Sequence, residues 1–172
     1  MKRLVPTGEM TLGPFFPREF AQGANDLTEL EGRPVKGEVI EISGLVTQGD
    51  GTPVDNLILE IWQADAEGGY DNPDFFGWGR AATDAQGIYL FRTIRPGAVA
   101  GRVPHINFCI LYSGLMRQLQ TVMFFGQASD PVLNAVEPGS LQDRLIAKKQ
   151  SANRYRFDIR LRGEGETPFF DD

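Results

Sequence analysis

The strongest constraint on the fold is a period of two near the end of the chain. Tyr155, Phe157, Ile159 and Leu161 alternate over residues 155–162 with arginine and aspartate. Successive side chains of a β-strand point to opposite faces, so this alternation predicts a strand with one buried face and one solvent face. Such a strand needs a second layer to cover its apolar side.

Five more runs have the apolar or alternating pattern of strands: residues 39–46, 57–62, 88–91, 105–112 and 119–125. Residues 83–87 predict a hairpin-type turn. One helix is predicted over residues 140–149, with Ser140 as its cap and Asp143 in its first turn. These elements together predict an all-β fold, an antiparallel β-sandwich with one short helix.

The remaining organisation follows from length and turn residues. Residues 1–36 contain four prolines and four glycines, which predicts an extended N-terminal arm or loop. The chain of 172 residues fits a single domain, 1–172, around one core.

Charge and hydropathy exclude some function classes. The formal net charge is −6, and binding to nucleic acid needs a concentrated basic surface, so we expect no nucleic-acid partner. No run approaches the roughly 18 apolar residues of a membrane span. The first residues lack the apolar core of a signal peptide, and we therefore expect a cytoplasmic protein.

The chain contains a single histidine, His105, in the run Pro104-His105-Ile106-Asn107-Phe108. Imidazole is a favoured ligand of iron, and a catalytic metal site usually takes three or more protein ligands. One histidine cannot supply a site that needs two, whatever the fold. Three carboxylates, Asp65, Glu67 and Asp71, crowd one Gly-rich loop, and we expect them to be solvated charges rather than an acid–base pair.

Seven motifs in order along the chain resemble the intradiol ring-cleaving dioxygenases. They are residues 11–17, 59–70, 77–80, 83–87, 91–97, 104–107 and 155–170. The resemblance covers nearly the whole chain and implies a β-sandwich in an assembly of α and β chains. It implies that the β chain holds a ferric ion (Fe3+) through two tyrosines and two histidines. It also implies that the assembly opens the ring of a catechol-type aromatic acid with both atoms of O2.

Matched to that family, Tyr70 takes the place of the first ligand tyrosine and His105 that of the first ligand histidine. Val99 stands where the second tyrosine would be, and Asn107 where the second histidine would be. Arg102 matches an arginine that lies beside the substrate ring in the catalytic chain. Valine has no donor atom and an amide is a poor ligand for ferric iron, so the resemblance implies an α-type chain with a vestigial site and no metal. We expect Tyr70 and His105 to be hydrogen-bonded residues of a polar pocket.

The resemblance also gives the N-terminal arm a role. Thr11, Gly13 and Pro14 match a segment of the α chain that lines the substrate cavity of the β chain. A hydroxyl and bare backbone can approach a planar aromatic acid closely, and the Gly-Pro pair fixes a turn. An arm that only clamps the neighbouring subunit is the alternative.

Two departures from the family pattern leave other functions open. Ser113 stands where the α chain has an arginine that favours the substrate carboxylate, with Arg117 four residues on, and the loop over residues 70–75 is shorter. One alternative is a catalytically inactive sandwich that self-associates as a binding or scaffold protein. Another is an enzyme with an altered metal site of its own, built from Tyr70, His105 and carboxylates such as Asp65 or Asp71.

Overall fold

A computed structural model describes residues 16–170, so the predicted roles of Thr11, Gly13 and Pro14 lie outside the described residues. The elements in chain order are β1 (Glu29–Leu30), β2 (Arg33–Pro34), β3 (Val39–Thr47), β4 (Ile58–Gln63), β5 (Trp78–Ala82), β6 (Ile88–Ile94), β7 (His105–Leu111), β8 (Leu119–Phe124), α1 (Pro131–Asn134), β9 (Lys148–Lys149), β10 (Arg154–Arg156) and β11 (Ile159–Arg160). Two 3-10 helices span Arg18–Ala21 and Gly139–Leu145. Within residues 16–170, no helix has the length and apolar character needed to cross a membrane.

The long strands form two sheets that share one core. One sheet has the order β5-β4-β7-β8 and is antiparallel throughout. The other is built on β3, which pairs antiparallel with β6 on one edge and parallel with β10 and β11 on the other. β9 extends this sheet beyond β10. The predicted all-β sandwich is confirmed, and the parallel pairing with β3 is an addition to its antiparallel pattern.

The core lies between the two sheets because alternate residues of each strand face inward. Ile42 of β3 and Ile61 of β4 are at most 1% exposed and lie in one hydrophobic cluster. The rings of Phe91 and Phe108, one from each sheet, meet edge to face with centroids 6.2 Å apart. The buried hydroxyl of Tyr89 donates a hydrogen bond of 2.6 Å to a main-chain carbonyl.

The predicted strand over residues 155–162 is two short strands, β10 and β11, with an interruption at Phe157 and Asp158. The predicted alternation holds, since Tyr155, Phe157, Ile159 and Leu161 are all buried. The interruption arises because a carboxylate oxygen of Asp158, rather than a backbone carbonyl, accepts a hydrogen bond from β3, at 2.8 Å. A side-chain pattern of period two therefore does not reveal a break in the backbone ladder.

The predicted hairpin turn over residues 83–87 is a turn, but it joins strands of different sheets, β5 and β6. The Asp84 carboxylate accepts main-chain hydrogen bonds from Gln86 and Ile88, each 2.9 Å long. Local turn chemistry thus fixes the reversal of the chain, whereas the layer that each strand joins depends on distant residues. β5 was not predicted, because Trp78–Ala82 contains a glycine and two alanines.

The predicted helix over residues 140–149 is wrong in type and extent. A 3-10 helix covers Gly139–Leu145, Pro138 rather than Ser140 precedes it, and no side chain caps it. The chain then becomes extended, because the Ala147 N–H donates to the Phe124 carbonyl at 2.8 Å and β9 pairs with β10. The α-helix of the described residues is α1, which the sequence analysis missed.

Residues 16–36 are more structured than an extended arm. Beyond the 3-10 helix at Arg18–Ala21, β1 and β2 form a small antiparallel ribbon. Glu31 and Gly32 both have positive φ, 51° and 74°, which is the pattern of a two-residue type I′ hairpin turn.

A second, smaller hydrophobic cluster covers part of the outer face of the β5-β4-β7-β8 sheet. Val122 and Phe124 of β8 pack there against Leu133 and Val136, in and just after α1, and against Leu145 of the 3-10 helix. α1 and this 3-10 helix therefore cover the β8 end of the sheet's outer face. They do not extend over the β4 and β5 end of that face.

Candidate functional site

The residues matched to a metal site lie on the outer face of the β5-β4-β7-β8 sheet. Ile106 and Phe108 of β7 face the core, so His105 and Asn107 face the other way. The β-ladder places Asn107 opposite Trp62 of β4. The loop after β4 supplies Tyr70, and the loops between β6 and β7 supply Val99 and Arg102.

His105 is a buried, hydrogen-bonded histidine. It is 4% exposed, and its Nδ1 lies 2.7 Å from the carbonyl oxygen of Val103. Since a carbonyl only accepts, Nδ1 carries the proton and Nε2 is the acceptor of the neutral ring. Burial lowers the pKa of His105 and the positive charge of Arg102 adds to this effect, although the Val103 carbonyl and Asp130 oppose it. The ring is therefore neutral at pH 7.

Arg102 is held by Asp130, a residue that the sequence analysis did not single out. The Arg102 Nε lies 2.9 and 2.7 Å from the two carboxylate oxygens. Asp130 is fully buried, caps α1 by accepting from the Val132 N–H at 2.9 Å, and also accepts from the Val103 N–H at 3.1 Å. Burial raises the pKa of Asp130, but these hydrogen bonds and the Arg102 charge outweigh it, so the pKa lies below its ordinary value.

This ion pair makes Arg102 a structural residue of the loop. Through Asp130, Arg102 links the loop before β7 to the start of α1, and so holds α1 in place over the β8 end of the sheet. Its Nη2 is buried and makes no hydrogen bond within residues 16–170. Among the described residues, the one carboxylate paired with the guanidinium is that of Asp130.

Tyr70 is half-exposed and contacts its surroundings through its ring. The ring stacks on Trp62 with centroids 5.8 Å apart and an angle of 13° between the planes. Burial raises the pKa of Tyr70, and the Arg102 charge partly opposes the rise, so the side chain is a neutral phenol at pH 7. Of the two residues that we expected to be hydrogen-bonded, His105 is, whereas the structure gives the Tyr70 hydroxyl no hydrogen bond to a described residue.

The loop that carries Tyr70 is organised by Asp65. One carboxylate oxygen accepts from the N–H groups of Glu67 and Gly69 at 2.9 and 2.7 Å, and the other accepts from the Asn72 side chain at 2.8 Å. Burial raises the pKa of Asp65, but these hydrogen bonds outweigh it and the pKa is lowered. The expectation of a solvated carboxylate is wrong for Asp65, which is 8% exposed, because an aspartate at a loop start can satisfy the loop's own N–H groups. Glu67 and Asp71 are exposed, as expected.

Two glycines let the Tyr70 loop and the Val99 loop touch backbone to backbone. A Cβ on Gly68, whose φ is 91°, would lie 2.0 Å from the Ala98 carbonyl oxygen, and a Cβ on Gly97 would lie 2.5 Å from the Gly68 nitrogen. Val99 comes directly after Ala98, and its carbonyl oxygen accepts a hydrogen bond of 2.7 Å from the Arg102 N–H in a tight turn. The close approach therefore fixes the positions of Tyr70 and Val99 relative to one another.

The donor atoms at this site do not fit a ferric ion. Val99 contributes no donor, and the Asn107 amide lies 3.4 Å from the Trp62 carbonyl oxygen, to which it donates. The oxygens of Asp65 already accept three hydrogen bonds within the loop. Across residues 16–170, no group of three or more histidine, cysteine, aspartate or glutamate side chains is placed to hold a metal ion. The same observations disfavour an altered metal site that uses Asp65.

The position of the missing family arginine lies apart from these residues. Ser113 and Gly114 form a turn after β7, and Arg117 lies further along the connection to β8, on the exposed surface. Gly114 has a φ of 91°, which suits a glycine in this turn.

Sequence reasoning missed two residues that shape the site, Asp130 and Trp62. The dipeptide Asp130-Pro131 is a helix-start signal, an N-cap followed by a proline at the first helical position, and could have revealed α1. The alternation of the predicted strand places Trp62 on the face opposite Ile61, but it does not indicate that the Trp62 ring stacks on Tyr70.

Comparison with known proteins identifies relatives over most of the chain. A family profile described as Dioxygenase matches residues 11–163. The protocatechuate 3,4-dioxygenase alpha chain of Pseudomonas putida is 41% identical over 155 residues, which cover 78% of this chain and 77% of that one. The alpha chain of Burkholderia cepacia is 32% identical over 197 residues, covering 99% of this chain and 100% of that one. The beta chain from B. cepacia is 34% identical over 203 residues, covering 96% and 84%.

A solved structure agrees with the fold. The dioxygenase domain of a dioxygenase carbohydrate-binding protein fusion from Streptomyces sp. SirexAA-E superposes with a TM-score of 0.64 and 26% sequence identity. The match covers 92% of this chain and 99% of that one.

Proposed function

We propose, from the premise that this chain belongs to the intradiol ring-cleaving dioxygenase family, that it is the α-type subunit of a protocatechuate 3,4-dioxygenase and binds no iron itself. One observation carries the proposal: Val99 and Asn107 stand where the family pattern needs a phenolate and an imidazole. Within residues 16–170, no cluster of histidine, cysteine, aspartate or glutamate side chains is placed to hold a metal ion instead. Relatives named alpha chains that align over most or all of this chain support the assignment.

The proposed assembly divides the work between two chains. A β-type chain would hold Fe3+ through two tyrosines and two histidines and bind the catechol-type acid. The overall reaction would add both atoms of O2 to protocatechuate and break the ring bond between the two hydroxyl-bearing carbons, which gives 3-carboxy-cis,cis-muconate. This chain would shape the substrate cavity and hold the assembly together.

The N-terminal arm is the part of this chain that would reach the substrate. Thr11, Gly13 and Pro14 would line the partner's cavity, with the hydroxyl and the bare backbone close to the planar acid. Ser113 in place of an arginine removes one positive charge that would otherwise favour the substrate carboxylate. We therefore expect substrate binding to depend more on the β-type chain than in relatives that carry the arginine.

The test is the iron content and visible spectrum of this chain, purified alone and then with a β-type chain from the same source. We expect a colourless, iron-free protein alone, and a coloured complex with about one iron per αβ pair that consumes O2 with protocatechuate. Stoichiometric iron in the isolated chain would show that the donor argument is wrong. Failure to form any complex would show that the subunit assignment is wrong.

A self-associating scaffold is the second candidate, and one observation favours it. Four aromatic side chains on one side of the molecule, Phe20, Trp62, Tyr70 and Phe76, are 38–60% exposed, which also suits an interface between identical copies. A stable homo-oligomer that ignores the β-type chain in sedimentation velocity would select this function over the first.

A further inference from the structure

The described structure begins with a short segment that is held against the rest of the molecule. Pro17 precedes the 3-10 helix Arg18–Ala21, and the Phe20 N–H donates to the Pro17 carbonyl oxygen at 3.0 Å. The rings of Phe16 and Phe20 stack with their centroids 5.6 Å apart. The residues that the proposed function places at the substrate come just before this segment in the sequence. Residues 16–21 are therefore the base of the N-terminal arm.

Arg80 of β5 holds the arm base through both the ring and the main chain of Phe20. The guanidinium carbon of Arg80 lies 3.6 Å from the centre of the Phe20 ring, which is the geometry of a cation–π contact. The Arg80 Nη1 also donates to the Phe20 carbonyl oxygen at 3.2 Å. One side chain therefore fixes Phe20 at two points.

Glu60 of β4 in turn fixes the guanidinium of Arg80. The β-ladder places Glu60 directly opposite Arg80. One carboxylate oxygen of Glu60 accepts from the Arg80 Nε and Nη2 at 2.9 and 2.5 Å. The two side chains are only 21% and 18% exposed, so solvent ions screen this pair less than an exposed one. The planar guanidinium is thus oriented by its own sheet and presents its remaining donor, Nη1, to Phe20.

Asn56 makes a second contact, at the start of the arm base. Its side-chain amide donates to the Phe16 carbonyl oxygen at 3.3 Å. Asn56 has a φ of 49°, a left-handed conformation that asparagine adopts more readily than most residues. Its own N–H donates to the Thr83 carbonyl oxygen at 3.2 Å. The backbone from which the amide extends is therefore itself held by a hydrogen bond.

The chain that follows the arm base is attached to both sheets. The Arg80 N–H donates to the Ala24 carbonyl oxygen, and the Leu27 N–H donates to the Arg92 carbonyl oxygen in β6, each at 2.8 Å. A Cβ on Gly79 would lie 3.0 Å from the Ala24 carbonyl oxygen, so the glycine permits this close approach. The arm base therefore cannot slide along the molecule without breaking these contacts.

The position of the arm base limits where the arm can reach. An extended chain spans at most about 3.6 Å per residue, so Pro14 lies within about 7 Å of Phe16 and Thr11 within about 18 Å. With so few residues between them, a displaced base also displaces the segment that would line the substrate cavity. A misplacement of about 1 Å in such a segment can cost an enzyme about 100-fold in rate.

We propose that Arg80 and Glu60 are positioning residues for the substrate-lining arm, an inference that rests on the proposed function. Arg80 holds Phe20 in place, and Glu60 sets the orientation of the Arg80 guanidinium. Both residues act on the substrate only through the arm, by keeping its base at a fixed distance from the partner's pocket. Asn56 supports the same base through Phe16.

The experiment measures kcat and KM for protocatechuate by O2 uptake, with this chain in complex with the β-type chain. Arg80→Met keeps the apolar length of the side chain and removes the guanidinium, whereas Phe20→Leu removes the ring and leaves the Arg80–Glu60 pair intact. We expect each variant to lower kcat/KM at least about 10-fold, with the iron content of the complex unchanged. Arg154→Met is the matched control, because it breaks an ion pair of 2.8 Å with Glu41 on the other sheet, and we expect a change of less than about twofold.

Deletion of residues 1–15 distinguishes positioning from a merely structural role. The deletion removes the substrate-lining residues and should itself lower kcat/KM. In the shortened chain, Arg80→Met and Glu60→Ala should then lower kcat/KM by less than about a further twofold, because no arm remains to be positioned. A residue that only stabilised this chain, or its contact with the partner, would lower kcat/KM by the same factor in both backgrounds.

The outcomes separate the inference from the function that it rests on. Wild-type chain that forms no active complex contradicts the proposed function, and the inference with it. An active complex whose kcat/KM survives the deletion of residues 1–15 contradicts the proposed role of the arm. If the deletion lowers kcat/KM but neither Arg80→Met nor Phe20→Leu does, only the positioning role is overturned. An equal loss from Arg80→Met in the full and the shortened chain overturns it as well.

Discussion

Asp130 is the side chain at the candidate site whose removal should cost the most stability. Its fully buried carboxylate accepts from the Arg102 Nε and from the main-chain N–H groups of Val103 and Val132. Asp130→Ala removes the acceptor of all three donors at once. It leaves the guanidinium without its partner and the start of α1 without its cap.

The magnitude follows from the burial of the two partners. Removing one member of a buried ion pair costs about 3–5 kcal/mol. The Arg102 side chain keeps 24% of its exposure, so water can solvate part of its charge and the lower end of this range applies. The lost helix cap adds about 1 kcal/mol. We therefore expect Asp130→Ala to lower the free energy of unfolding by about 3–4 kcal/mol.

Urea unfolding followed by circular dichroism measures this loss. Glu41→Ala is the control, because it breaks an ion pair of similar length, 2.8 Å to Arg154, whose side chains are 38% and 69% exposed. An exposed pair of this kind contributes less than about 1 kcal/mol. A loss of 1 kcal/mol or less in Asp130→Ala would refute the reasoning.

A double-mutant cycle with Arg102→Met tests whether the two residues act as a pair. Once the charge is gone, losing the carboxylate no longer leaves a buried guanidinium alone. We expect the double variant to be more stable than the sum of the single effects predicts, by about 1–3 kcal/mol. Additive effects would show that the 2.7 Å contact between Arg102 and Asp130 contributes no coupling.

Three further predictions concern pH, backbone approach and a buried hydroxyl. Because hydrogen bonds hold the pKa values of Asp65 and Asp130 below their ordinary value against the effect of burial, the unfolded chain takes up protons at these groups at a higher pH than the folded chain does. Stability should therefore be fully present above about pH 4 and fall as the pH decreases further, and an equal urea midpoint at pH 6 and pH 3 would contradict this. Gly68→Ala should lower the free energy of unfolding by more than about 1 kcal/mol, since its Cβ would lie 2.0 Å from a carbonyl oxygen, whereas Gly126→Ala, with nothing within 4 Å, should change it by less than about 0.5 kcal/mol. Tyr89→Phe should cost about 1–3 kcal/mol, because it leaves a buried carbonyl without its 2.6 Å partner, and a thermal melt equal to wild type would show that water replaces the hydroxyl.

The sequence predicted the strands best where a long run of large apolar residues alternates against the core, and it missed β5, whose inward residues are small. The limits of β3 and β7 differ from the prediction by one residue each, because their alternation reflects burial against the core. The predicted helix over residues 140–149 is wrong because its local pattern does not show the long-range contacts of this segment. Its apolar residues have helical spacing, but Leu145 packs under α1 and the following residues pair with β8 and β10. Long-range pairing overrode a local signal.

The sequence marked four residues of the candidate site, but it indicated neither their contacts nor the part played by Asp130 and Trp62. The family pattern marked Tyr70, Arg102, His105 and Asn107, and the structure places these four on or beside one face of one sheet. The partner of Arg102 lies 28 residues away along the chain, in a segment whose Asp130-Pro131 dipeptide signals the start of a helix and not an ion pair. No sequence pattern indicated that Asp130 would hold it.

The sequence by itself determined the composition of the site. A chain with one histidine, and with valine and asparagine at two matched positions, lacks the set of two tyrosines and two histidines that the family pattern requires, whatever its conformation. The sequence also determined the sandwich, since alternating apolar residues require two layers to cover them. The tertiary structure decided the rest: which carboxylate is buried, which loops touch, and that aromatic rings from separate segments, such as Trp62, Tyr70 and Phe76, lie together on one side of the molecule. The physical reason is that donor chemistry and strand periodicity are local properties of the chain, whereas burial and ring contact depend on segments that only folding brings together.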